Sequence, residues 1–332
     1  MSIYRIFLPL IFLFFAACQS DPLMVDLSAV KPEEVHVLRY DQDIFTVNRQ
    51  NVKEQLDVLA KKYPLLINGD YKDPARIYGL MGYLEDPLFK ELKVKCNQVY
   101  PDMVALDKIL SEGFTYYKYY YPQSPSPKVY AYISGLDLDN AMCWVDSASS
   151  AVMALDMYLG PEFPMYYQMG VEMPKYQTYK FQEKFIPVDV FTQLALEKYH
   201  LEKQGKTLIE KIIVQGKVQY FVNAVLPFIS DSTRLKYNPG QMQWCHDNEE
   251  RLWQFFVKEN LLYSTDYMAY KKYLEDGPFT SSLEKDSPGR IGDYMGWRIV
   301  KSYMENHEVT LDALMRDKDL LNIFQTSKFK PE

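Results

Sequence analysis

The chain has 332 residues, with 48% hydrophobic and 24% charged side chains and a formal net charge of −7. These are the proportions of a folded globular protein, and they exclude a disordered, collagen-like or low-complexity chain. The balance of 37 basic against 44 acidic residues leaves no basic stripe for a phosphate backbone, so nucleic acid is excluded as a partner.

Residues 6–15 are apolar and follow Arg5. The run is too short to cross a bilayer, which takes about 20 helical residues, but it suits the apolar region of a signal peptide. It ends in Ala16-Ala17-Cys18, small residues before a cysteine, as in a bacterial lipobox. Cleavage there leaves Cys18 as the acylated first residue, and more than one acyl chain is what stable membrane attachment requires. The expected organisation is a lipoprotein signal peptide at 1–17, a polar tether at 18–33 and a single domain at 34–332. Gln19 rather than Asp after the cysteine favours the outer membrane under the sorting rule of enteric bacteria. Cys96, Cys143 and Cys245 remain; none lies in a Cys-x-x-Cys pair, so at most one disulfide forms and a zinc ribbon is excluded.

Residues 35–40 read as a strand and 51–63 as a helix. A helix-rich stretch follows over 77–121, broken near Asp86-Pro87 and Tyr100-Pro101. After a turn-rich segment at 123–127 come strands at 128–133 and 151–158, joined by Asp137-Leu138-Asp139. Helices are expected after Pro187 and over 208–225. Asn238-Pro239-Gly240-Gln241 has the composition of a capping box and predicts a single helix reaching Glu259. Further helices begin near Ser264-Thr265-Asp266 and over 291–306, and Thr310 caps a last short pair. The fold class is α+β, mostly helical with a small central sheet.

Few residues offer chemistry. His36, His200, His246 and His307 are too far apart for a paired-imidazole metal site. His246, Glu249 and Glu250 share one face of the expected helix, for which a solvated surface is the simpler reading. Cys245 and His246 are adjacent and point apart, no Gly-x-Ser-x-Gly turn occurs, and Asp137 with Asp139 fits a turn better than a glycosidase pair. Gly289, Gly292 and Gly296 follow no hydrophobic strand and read as close-packing positions rather than a phosphate loop. The chain holds 28 tyrosines; those within 116–121 surround a helix, so some must be exposed, either as an amphipathic rim or as a glycan-binding surface.

Several stretches resemble one family. Asn248-Glu249 with Trp253 and Phe256, Gly277-Pro278-Phe279, Ser287-Pro288-Gly289-Arg290-Ile291-Gly292, Gly296-Trp297-Arg298-Ile299-Val300 and Ser327-Lys328-Phe329 are similar to the gliding-motility lipoprotein GldB family. Arg39-Tyr40-Asp41-Gln42-Asp43 and Leu155-Asp156-Met157-Tyr158 extend the similarity upstream. The resemblance implies a lipid-anchored envelope protein working with other proteins of the motility and secretion machinery. It also implies a zincin-like fold, because the family is remotely similar to zinc-dependent proteases that carry His-Glu-x-x-His on a helix. The corresponding helix here is 208–225, with Gly216 for the first histidine, Lys217 for the general base and Tyr220 for the second histidine. Glu249 corresponds to the third ligand, with Glu250 as a register alternative. A degenerate zinc site of this kind implies no catalytic residue, bound metal or cofactor, and an ion pair between Lys217 and Glu249 in place of the metal. The alternatives are an active metal-dependent hydrolase using His246 and Glu249, or a glycan-binding lipoprotein.

Overall fold

Side-chain alternation in two short strands divides the interior into two cores. A computed structural model describes residues 23–145, 149–168 and 173–331; Cys18 and the expected signal peptide lie outside them. Strand β1 (Val37–Arg39) is followed by helices α1 (Val52–Lys62), α2 (Pro74–Glu85), α3 (Pro87–Val99) and α4 (Val104–Tyr120). Strands β2 (Lys128–Tyr132), β3 (Met142–Val145) and β4 (Ser150–Ala154) complete a sheet of order β1-β2-β4-β3, in which β3 alone is antiparallel to its neighbour. Tyr130 and Val152 face a smaller core built with Leu56, Tyr63 and Met81. Val129, Ala131, Ala151 and Met153 face the main core beneath the C-terminal helices. A period of two residues per strand is what sends neighbours to opposite faces.

The expected breaks are capping sites. Asp86 closes α2 and opens α3, its carboxylate accepting from the Leu88 amide while Pro87 occupies the first helical position. The segment at 23–33 does not hang free: Leu23 is buried, and the Glu33 amide donates to Thr115 Oγ1 at 3.0 Å on α4. Strand β3 has no counterpart among the expected elements; it pairs with β4, and Trp144 Nε1 donates to the Val190 carbonyl at 2.7 Å. The strand expected over 151–158 ends at Ala154, and residues 155–158 form a 3-10 turn. There the buried Asp156 carboxylate accepts from the Ser134 and Leu136 amides at 2.9 and 2.7 Å.

The C-terminal half comprises α5 (Ile186–Tyr199), α6 (Leu208–Val225), α7 (Pro239–Asp247), α8 (Glu249–Lys258), α9 (Ile291–Asn306), α10 (Leu311–Arg316) and α11 (Leu320–Thr326). Helix α6 starts from a Thr207–Glu210 capping box and is buried on nearly every side, as a helix apolar all round must be. The Asn238–Gln241 capping box forms as expected. Its helix, expected to reach Glu259, instead stops at Asn248, whose φ of −121° leaves the helical region. The Asn248 side chain donates to the Trp244 carbonyl at 2.9 Å, a local bond that competes with continuation of the helix. Cys96, Cys143 and Cys245 are all free thiols.

Candidate functional site

At Gly216, α6 and α9 touch backbone to backbone: a Cβ there would lie 2.1 Å from the Gly296 carbonyl oxygen, and a Cβ at Gly296 would lie 2.1 Å from that of Ile212. Glycine at 216 is therefore a packing requirement, and no imidazole fits in its place. Gly292 and Gly289 are close-packing positions as well; a Cβ on Gly289 would meet the Gly277 carbonyl oxygen at 2.5 Å.

Lys217 is fully buried on α6, and its ammonium donates to the Asp317 carbonyl oxygen at 2.7 Å. Burial pushes this amine down to about 8, with the Asp317 charge opposing. The expected ion pair with Glu249 does not form. Glu249, only 1% exposed, instead accepts from Tyr294 Oη at 2.5 Å and pairs with Arg298 Nε at 3.2 Å on the same oxygen. The reason is geometric: Asn248 restarts the helix so that Glu249 turns toward α9, from which Tyr294 and Arg298 reach it. Glu250, the register alternative, is exposed and accepts from Gln254 at 3.0 Å. Tyr220 is buried on α6, while exposed His246 meets the rim of the Glu249 pair through Tyr294 Oη, 3.5 Å from its Nδ1. Among the described residues, no three His, Cys, Asp or Glu side chains gather as a metal-binding group.

A second cluster holds more charge, and sequence reasoning passed over most of it. Arg290 begins α9 with a left-handed φ of 52°, an uncommon state for a residue with a Cβ. Its guanidinium pairs with Asp276 at 2.6 Å and with Asp293 at 3.0 Å, and donates to the Leu235 carbonyl at 3.0 Å. Lys180 pairs with the same Asp276 oxygen, Oδ1, and Lys236 pairs with Asp189, which also accepts from Tyr158 Oη at 2.9 Å. Burial, reinforced by the neighbouring Arg290 charge, pushes the Lys180 amine down to about 7. Burial opposes ionisation of Asp276, yet Arg290 and Lys180 hold its carboxyl below the usual value. Burial dominates at Asp293 and raises it despite Arg290.

Two clefts, of about 260 and 230 Å³, share Lys180, Lys236 and Asp276 as a common wall. The second opens beside Met157 and Tyr158, beyond the carboxyl end of β4, where parallel strands commonly leave a crevice for ligands. A perturbed lysine with a specific charge partner in a cleft is a functional-site candidate.

A family model described as gliding motility protein GldB matches residues 20–331. The chain belongs to the GldB family. No curated protein and no solved structure matches it. The stretches that carried the GldB resemblance meet in space. Phe329 and Phe324 pack on Trp253, with ring centroids 5.6 and 5.8 Å away, and Ser302 Oγ donates to the Ser327 carbonyl at 2.8 Å. Gly277, Pro278, Gly289 and Arg290 line the cleft of about 260 Å³. Arg290 was thus in view in the sequence; Lys180, Lys236 and Asp189 carried no local signal. The expected tyrosine cluster is mostly interior: Tyr116, Tyr117 and Tyr121 are buried and Tyr119 is 42% exposed.

Proposed function

We propose that the protein is a lipid-anchored component of the cell envelope, placed in the outer membrane through Cys18, which supports motility and secretion machinery and has no peptidase activity. Membership of the GldB family supports the envelope role. No helix among the described residues is long and apolar enough to cross a membrane. The zincin-like ancestry is part of the same reading, with α6 as the helix that lost its ligands.

The observation that carries the non-catalytic reading is the backbone contact of Gly216 with Gly296, which leaves no room for an imidazole. Lys217 next to it is committed to the Asp317 carbonyl. A zinc hydrolase needs three protein ligands and an activated water. Against the alternative site, exposed His246 and buried Glu249 are bridged by the Tyr294 hydroxyl rather than aimed at a shared open position. Against glycan binding through 116–121, three of the five rings, Tyr116, Tyr117 and Tyr121, are buried in packing, as in the 4.7 Å contact of Tyr117 with Tyr121.

Complementation tests the envelope role. In a strain deleted for this gene, surface spreading and secreted protein levels should return with the wild-type chain and fail to return with Cys18→Ser. Full restoration by an unacylated chain would overturn the reading.

A further inference from the structure

The cleft of about 260 Å³ is bounded by the short helix Lys175–Thr178, the start of α7, and the loops at 276–278 and 289–290. Four cations line it, Lys175, Lys180, Lys236 and Arg290, against one lining carboxylate, Asp276. Behind them Asp189 and Asp293 engage Lys236 and Arg290. Three carboxylates therefore face four cations, and Lys175 has no ion-pair partner among the described residues. Tyr176 and Tyr179 stand on the same wall as Lys175 and offer flat area at little entropic cost.

We propose that this cleft binds a small organic oxyanion, with its carboxylate or phosphate among Lys175, Lys180 and Lys236 and its body against Tyr176 and Tyr179. This goes beyond the envelope role and does not depend on it. The volume is at or below the lower end of small-molecule sites, roughly 300 Å³, so the ligand is about the size of one ring with its acidic group. The charge excess selects an anion over a cation. With 44 acidic against 37 basic residues the chain as a whole repels a polyanion, so the ligand is a small molecule. Burial and the Arg290 and Lys236 charges disfavour the Lys180 ammonium, and the opposite charge of a bound anion offsets them. Asp276 already occupies one side of Lys180, so it competes with the incoming anion for the same ammonium.

The test is calorimetric titration of the full chain in detergent with benzoate, phenyl phosphate, inorganic phosphate and neutral benzamide. Saturable binding of benzoate or phenyl phosphate is expected, weakened about tenfold by Lys175→Glu at unchanged melting temperature. Lys175 is exposed, so that variant should fold. Asp276→Asn removes the competing carboxylate and should tighten binding. Preference between the benzoate and phosphate arms identifies the acidic group. The proposal is overturned by no binding of either organic anion at about 1 mM, by benzamide binding as well as benzoate, or by affinity that Lys175→Glu leaves unchanged. An Asp276→Asn chain that melts like the wild type yet binds no more tightly also overturns it.

Discussion

Glu249 and Lys217 show how much a single buried charge depends on which neighbour reaches it. Glu249 holds Tyr294 and Arg298 on one carboxylate oxygen, and removing one partner of a buried pair leaves an uncompensated charge costing about 3–5 kcal/mol. Glu249→Ala should therefore destabilise strongly. A double-mutant cycle in chemical denaturation should show coupling of Glu249 with Arg298 and little with Lys217; the reverse pattern would refute the pairing. Lys217 gives a pH signature. Burial pushes its amine down to about 8 in the folded protein, from the ordinary lysine value of 10.5 that the unfolded chain keeps, so between those values the unfolded chain binds more protons. Its contribution to stability therefore rises with pH across that window, the charged form being the one that burial penalises. Below pH 8 the penalty is fully present. Lys217→Met should lie nearest to, or above, wild-type stability at pH 7 and lose that relative gain by pH 10. A difference between the two chains that stays flat from pH 7 to 10 would contradict this. The importance of Glu249 was visible in the sequence through its neighbours; its partner was not, because Arg298 lies on a helix that only tertiary packing brings alongside.

At the scale of elements, glycine placement decides the centre of the fold. Gly216 and Gly296 let α6 and α9 meet at backbone distance, and adding one methyl group forces the helices apart. Overpacking of this kind costs typically about 1–3 kcal/mol. Gly296→Ala should lower the unfolding free energy by an amount in that range, whereas Gly79→Ala, where a Cβ meets nothing within 4 Å, should be neutral or slightly stabilising. Equal effects at both positions would count against the crossing. The spans expected for α6 and α9, 208–225 and 291–306, match the structure, and in α6 the apolar run from Leu208 to Val214 marked the helix. Strand β3 was not, because Met142-Cys143-Trp144-Val145 is short and becomes a strand through its pairing with β4. The break at Asn248 was hidden because asparagine is tolerated in helices until its side chain finds a backbone carbonyl, here that of Trp244.

For the whole molecule, the expected α+β class, mostly helical with a small central sheet, matches the structure, in which that sheet is mixed, and the family was readable from motifs spread along the chain. The charged clefts were less legible: Lys180, Lys236, Asp276 and Arg290 lie on separate segments, and no periodic pattern links them. The proposed attachment to the membrane rests on one thiol, Cys18. Cys18→Ser should abolish incorporation of a fatty-acid probe while the domain still folds, and labelling that persists would refute the anchor. The central claim is that a GldB-family chain folds around the place of a zinc site without being an enzyme. Elemental analysis of the purified, dialysed protein, run beside casein and peptide-library digestion, tests it most directly. The account predicts no stoichiometric zinc and no cleavage above background. About one zinc per chain, together with cleavage that a chelator stops, would contradict it.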